Sequence, residues 1–247
     1  MAAALATDAP ATRTGGRRDG RRPTIERYGR PARWFHAATY LTVLVLLGTG
    51  WWLTLGREGQ PSPLSRLTGR PDTELHTWTG WVLSAILGVG LVLGARGTLL
   101  FASESIRFRR ADLGWFRGWP RALVTGRFAR HEGRFDPGQR IANILLVVLL
   151  AVLVVSGAWL ALLHGGPTFA ILVRVHRWST YAVTPVILGH ILIAAGVLPG
   201  YRGVWRSMHL GGRLRADVAR RLWPAWTEQA EAAALQHPDD AEPHDQR

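Results

Sequence analysis

Four stretches of this chain run long enough without a formal charge to cross a lipid bilayer, and nothing else in the sequence limits its fold so strongly. They are Trp34 to Gly56, Leu75 to Ala95, Ile141 to Val173 and Trp178 to Tyr201, of 23, 21, 33 and 24 residues. A hydrocarbon core about 30 Å thick takes roughly 20 helical residues at about 1.5 Å each. The third stretch is interrupted by Gly165-Gly166-Pro167, which ends its spanning part near Leu163. Runs such as Ile144 to Val155 do not alternate apolar and polar residues, as a closed barrel would require. The expected fold is all-α: an integral membrane four-helix bundle over residues 34–201, with helices at about 34–56, 75–95, 141–163 and 176–199.

Basic residues set the expected orientation. All 30 are Arg, and 25 of them lie before the first stretch, between the second and third, or after the fourth. Only Arg57, Arg66, Arg70, Arg174 and Arg177 occupy the other two connections. Cytoplasmic loops of membrane proteins carry the basic excess, so both termini and the long middle loop are expected in the cytoplasm of a bacterial plasma membrane. Positive-inside topology already accounts for the net charge of +13, and no nucleic-acid partner is needed to explain it. Trp34, Trp51, Trp52, Trp78, Trp81, Trp159 and Trp178 stand near segment ends, where an interfacial belt would place them. Arg17-Arg18 is not closely followed by the apolar run of a twin-arginine signal. Residues 1–33 therefore read as an uncleaved, disordered basic tail, and 228–247 as a disordered acidic one. Between them, 202–227 and Phe108 to Phe128 read as amphipathic cytoplasmic segments. Leu214, Val218 and Leu222 form one apolar face opposite Arg213, Asp217 and Arg220, suited to lying on anionic lipid headgroups.

The chain has no Cys. Disulfides, thiolate zinc, Cys-ligated iron–sulfur clusters and covalently attached haem are all excluded, so a redox centre here must use nitrogen or oxygen ligands. Nine His are present. His131, His164, His209, His237 and His244 fall in loops, tails or at a helix exit, and read as structural or solvated. His36, His76, His176 and His190 fall on the first, second and fourth helices. One such residue alone reads as interfacial or as a satisfied hydrogen-bond partner; an ionisable group in a membrane is costly enough to suggest function.

Spacing sharpens the set. His176 and His190 are 14 residues apart, which returns to nearly the same helix face about 21 Å along the axis. Two planar cofactors stacked across the bilayer would fit, and a bis-imidazole b-type haem needs one further His for each iron. His76-Thr77-Trp78 and His176-Arg177-Trp178 share a pattern and an outer position, while His36 and His190 belong to the inner side. The expected pairs are 76 with 176 and 36 with 190. By counting from the flanking Arg, His190 sits deeper than His36, a mismatch that tilt or a longer first helix would remove. Gly50 and Gly90 lie 14 residues beyond His36 and His76. They suit either close approach to a haem or small-residue helix contact, as do Gly48, Gly88 and Gly94. Arg174 and Arg177 suit either haem propionates or lipid headgroups.

From Arg27 to Trp226 the sequence resembles the cytochrome b (gamma) subunits of membrane-bound formate dehydrogenases. It also resembles the cytochrome b subunits of nickel–iron hydrogenases. The residues that carry the likeness are Arg33-Trp34-Phe35-His36 leading to Gly48-Thr49-Gly50, Leu75-His76 through Gly80, Phe135-Asp136-Pro137-Gly138-Gln139-Arg140, Ser156-Gly157, and the His176 to His190 spacing. The ending from Val218 to Trp226 is similar to the formate dehydrogenase branch, with Leu222-Trp223 where that branch has a His pair. The resemblance implies two haem b on His36, His76, His176 and His190. It implies electrons arriving from an extracytoplasmic iron–sulfur subunit, itself fed by a catalytic molybdenum (or nickel–iron) subunit. It also implies reduction of menaquinone or another quinone at the inner haem with cytoplasmic protons, and quinone contacts at Gly138, Gln139 and Asp136. Asp136 stands where the family commonly has Asn. Such a chain is an electron-transfer subunit, not a complete enzyme. The competing classes are a stand-alone electron carrier and a haem-free transporter or scaffold.

Overall fold

A computed structural model describes residues 23–56 and 60–236. Helix accounts for 76 % of it, so the fold is all-α. The order is β1 (Thr24–Glu26), α1 (Arg30–Thr54), α2 (Pro63–Thr68), α3 (Asp72–Leu93), α4 (Ala95–Ser105), α5 (Asp112–Thr125), α6 (Pro137–Leu162), α7 (Gly166–Ala194), a 3₁₀ turn (Pro199–Tyr201), α8 (Arg206–His209), β2 (Arg213–Arg215), α9 (Ala216–Leu222) and α10 (Pro224–Gln236).

Three helices, α1, α3 and α6, are long and apolar enough to cross a membrane. A fourth span exists if α7 is taken with Pro199–His209, from which it is bent by 62°. Local chemistry sets the ends. Asp136 caps α6 by accepting the Gln139 N–H at 2.8 Å, and Pro137 fills the first helical position, where no amide hydrogen is needed. Gly165 and Gly166, with φ of 124° and 91°, make the turn between α6 and α7 that L side chains would resist. Helix α7 therefore begins at Gly166, ten residues before the expected 176, and His176 lies well inside it. Helix α1 begins at Arg30, four residues before Trp34, and this lets His36 reach the depth of His190.

The long helices are neighbours in turn: α1 beside α3, α3 beside α6, α6 beside α7, and α7 beside α1. Their outward faces stay apolar and open, with Val92 76 % and Val155 58 % exposed. In water such faces would aggregate; in lipid they are solvated. The few fully buried positions on these helices include Thr49, Ser156, Ser179 and Thr180 beside Val43, Leu83 and Val183. Small hydroxyl residues let membrane helices approach closely.

A cluster of buried apolar residues forms a cap at the end that carries His36 and His190. Tyr201, Leu214, Val218, Leu222 and Trp223 form it, against Leu123, Phe128 and Trp226. Here three sequence expectations need correction. Leu214, Val218 and Leu222 do not lie on headgroups: Leu214 is in β2, and all three are buried in this core. Residues 24–33 are not a disordered tail, because β1 pairs antiparallel with β2, Ile25 opposite Leu214, and α1 begins at Arg30. Residues 228–236 are helical in α10, held by Arg130–Glu228 at 2.7 Å and Arg220–Glu231 at 2.6 Å. Residues 1–22 and 237–247, with His237 and His244, lie outside the described residues.

Two arginines lock the cap to the spans. Arg140, at the start of α6 and 1 % exposed, pairs with Asp112 of α5 at 3.0 Å and donates to the carbonyls of Arg107 and Glu132. Arg27, between β1 and α1, lies over the rings of Trp223 and Trp226 at 4.1 and 4.2 Å and donates to the Arg134 carbonyl. Burial pushes its guanidinium down to about 10.

Candidate functional site

His76 of α3 and His176 of α7 face each other with ring centroids 6.1 Å apart. Each is held from behind by a hydroxyl on a neighbouring helix. Thr49 Oγ1 of α1 lies 2.8 Å from His76 Nδ1, and Ser156 Oγ of α6 lies 2.9 Å from His176 Nδ1. Both hydroxyls already donate their own proton one turn back, Thr49 to the Val45 carbonyl at 2.9 Å and Ser156 to the Val152 carbonyl at 2.6 Å. They can then only accept from the rings, which places the imidazole proton on Nδ1 and leaves the Nε2 lone pair free. A histidine so arranged is prepared to ligate a metal through Nε2.

The residue after each hydroxyl is glycine, for a steric reason. A Cβ on Gly50 would stand 3.2 Å from His76 Cε1, and one on Gly157 3.2 Å from His176 Cε1. Thr49-Gly50 and Ser156-Gly157 are thus the same device used twice, one residue to hold the ring and the next to make room for it.

Toward the cap, His36 of α1 and His190 of α7 have centroids 6.3 Å apart. The environment differs from the first pair. His36 Nδ1 is buried and has no hydrogen-bond partner among the described residues. Tyr40, one turn along α1, stands 5.5 Å away, and His209 of α8 stands 5.9 Å away on the cap side. Gly90 of α3 carries no side chain because a Cβ there would overlap the ring of Phe35, the neighbour of His36.

Both separations suit a six-coordinate iron between two imidazoles. A metal–nitrogen bond of about 2 Å on each side, plus the ring radius, puts the centroids roughly 6 Å apart. Among the described residues no group of three or more His, Cys, Asp or Glu could hold a bare metal ion. Two axial nitrogens without further protein ligands suit a metal whose remaining positions a porphyrin fills.

Asp136, Gly138 and Gln139 lie together at the cap end of α6. The Asp136 carboxylate is engaged as the helix cap, and burial raises its pKa against the opposing pull of the Gln139 N–H, His131 and Arg27. The Trp115 ring covers Gly138, where a Cβ would lie 2.9 Å from Cη2. Gln139 Oε1 is buried without a partner among the described residues, as is Trp115 Nε1. Tyr201, which accepts from Trp119 Nε1 at 3.2 Å, has its phenol pushed up by burial and by Asp136. His131 donates from Nε2 to the Leu222 carbonyl, 2.8 Å away, inside the cap. His164, Arg174 and Arg177 are exposed.

Sequence reasoning missed three things here. The roles of Thr49 and Ser156 were hidden inside motifs that served only as marks of resemblance. Gly157 has the same meaning as Gly50, signalled by the repeated hydroxyl–glycine dipeptide. His209 reads from sequence as structural or solvated, and no periodicity links a four-residue helix to the start of α1.

An all-α chain with bilayer-length apolar helices and imidazoles opposed in pairs belongs to the class of membrane cytochromes b. The particular family follows from comparison: residues 27–211 match the prokaryotic cytochrome b561 family, and the chain belongs to it. It is accordingly a prokaryotic integral membrane protein of electron transport that binds haem b. No curated protein sequence matches the chain.

Proposed function

We propose that the protein is a dihaem cytochrome b, with His76 and His176 as axial ligands of one haem and His36 and His190 as those of the other. The observation that carries this reading is the repetition of the opposed pair, at 6.1 and 6.3 Å, on two levels of α7, which faces α3 at one level and α1 at the other. On α7 the two ligands are separated by about 21 Å of helix rise. Thr49 and Ser156 fix the tautomer and orientation of the first pair, while Gly50 and Gly157 clear the space for it. A bound haem b supplies one-electron redox chemistry at its iron, and the protein supplies position, ligation and dielectric.

In this reading α1, α3, α6 and α7 form a four-helix transmembrane bundle with both termini cytoplasmic. The partition of Arg supports that orientation, and it puts His76 and His176 on the outer side. Electrons enter there from an extracytoplasmic iron–sulfur subunit, since a chain without Cys holds no such cluster itself. They leave at the His36/His190 level to a quinone, most simply menaquinone. Gln139, whose buried Oε1 lacks a partner, is the polar group available to a quinone oxygen, and Gly138 lies beside it. Asp136 is already committed to capping α6. Moving one charge across the membrane is worth about 2.3 kcal/mol per 100 mV. The Phe135 to Arg140 motif and the Val218 to Trp226 ending favour a formate dehydrogenase gamma subunit over a hydrogenase cytochrome b.

The test is a reduced-minus-oxidised spectrum with haem quantification on detergent-purified protein. Two b haems per chain, falling to one in His76→Ala, are expected. Folded protein from a haem-replete host that contains no haem would overturn the reading in favour of a transporter or scaffold.

A further inference from the structure

The two levels of histidine differ in how their rings are held. At the outer level both Nδ1 atoms meet a hydroxyl, at 2.8 and 2.9 Å. At the level nearer the cap, His36 Nδ1 is buried and unmatched among the described residues. A buried ring N–H without an acceptor is costly, so an acceptor is expected close by. Among the described residues no hydroxyl is hydrogen-bonded to it. The group that stands there is a third imidazole, His209, whose ring lies edge-on to His36 at 64° and 5.9 Å, with Tyr40 packed against both at 5.5 and 5.6 Å. Two imidazoles joined by a hydrogen bond of about 2.9 Å have centroids roughly 5 Å apart, so a shift of about 1 Å closes this one. His209 is exposed, on the four-residue helix α8 beyond the bend that follows α7, and its side chain has room to make that shift.

We propose that His209 is the positioning residue of His36. Its ring nitrogen accepts the His36 Nδ1–H, fixes that ring, and strengthens His36 as a donor to the iron. The inference rests on the dihaem reading above and deepens it. A stronger axial donor stabilises the oxidised iron, so this contact lowers the potential of the haem on the His36/His190 pair and leaves the other unchanged. His209 belongs to the cap, whereas Thr49 and Ser156 belong to the spans. The electronic state of one haem is thereby tied to the seating of the cap, and that of the other is set by helix packing alone.

The experiment is a potentiometric titration of the purified full-length protein, with haem content measured on the same samples. The variants are His209→Ala, His209→Gln and Tyr40→Phe, and the titration step that vanishes in His190→Ala identifies the haem concerned. His209→Ala is expected to keep two haems and to raise the midpoint of that haem alone. His209→Gln, which restores an acceptor, is expected to return it toward the wild-type value, and Tyr40→Phe to leave it in place. An unmoved midpoint in His209→Ala overturns the proposal. So does equal behaviour of the Ala and Gln variants, a shift produced by Tyr40→Phe instead, or loss of haem from both His209 variants. Absence of haem from the wild type would be a failure of the dihaem reading itself, visible before any variant is compared.

Discussion

Replacing Thr49 by Val removes one hydroxyl and almost no volume, and it isolates the contribution of that hydroxyl to the haem proposed on His76 and His176. Thr49 Oγ1 accepts from His76 Nδ1 at 2.8 Å while donating to Val45 O at 2.9 Å. The i−4 bond is local to α1 and dispensable. The bond to His76 crosses between α1 and α3 and has no substitute in the structure. A net hydrogen bond of this kind contributes about 0.5–1.5 kcal/mol. If most of that difference falls on the oxidised state, a one-electron couple moves by roughly 20–65 mV, from 59 mV per factor of ten. The shift is upward, because an imidazole that no longer donates from Nδ1 is a poorer ligand for ferric iron. Haem affinity at that level should fall about 10–100-fold, the usual cost of losing a partner behind a ligating histidine. The assay is a potentiometric titration followed at the α-band. Ser156→Ala should move the same haem in the same direction, and Thr49→Ser should behave as wild type. A downward shift, or a shift confined to the haem that His190→Ala removes, would refute the reasoning.

Other outcomes follow from the same contacts. Gly157→Val would drive a side chain into His176, since even a Cβ stands 3.2 Å from Cε1, and one of two haems should be lost on quantification while the chain stays folded. Asp112→Asn leaves the Arg140 charge buried without its partner and should cost about 3–5 kcal/mol in denaturant unfolding in micelles. Glu74→Gln, which opens the exposed Arg70 pair, should change the same measurement by less than about 1 kcal/mol. Asp136 has a folded pKa above its unfolded one because of burial. The folded state then binds that proton more tightly, so stability declines as pH rises from the unfolded pKa through the folded one, and is level beyond it. Asp136→Asn keeps the helix cap and should flatten that slope, while Asp136→Ala should lose about a further 1 kcal/mol, both read from unfolding midpoints across acidic pH. If the Asn variant kept the wild-type slope, a different group would be responsible for it.

The membrane class, the positions of three spans and the four histidines were legible in the sequence because they depend on local properties. Hydrocarbon solvent selects for charge-free runs whatever their neighbours do, and a 14-residue spacing returns to one helix face by geometry alone. Helix α7 was legible as apolar, but its start was misplaced by ten residues. Arg174 and Arg177 break the charge-free run without breaking the helix, and Gly165-Gly166 alone decides where it begins.

What the chain does with its non-local groups required the tertiary structure. Thr49 and His76, Ser156 and His176, and above all His36 and His209 are distant in sequence and meet only after the helices have packed. The apolar face of Leu214, Val218 and Leu222 reads from sequence as a lipid-facing stripe; it is a core, because β1 pairs with β2 and brings Tyr201 and Trp223 over it. A stripe of apolar residues records that something will cover it, and folding decides what. The sequence by itself thus determined the solvent this protein lives in and where its membrane imidazoles stand along the helices. The packed structure decided which hydroxyl stands behind His76 and which behind His176, since such bonds depend on ångström-scale approach between helices that no local pattern encodes.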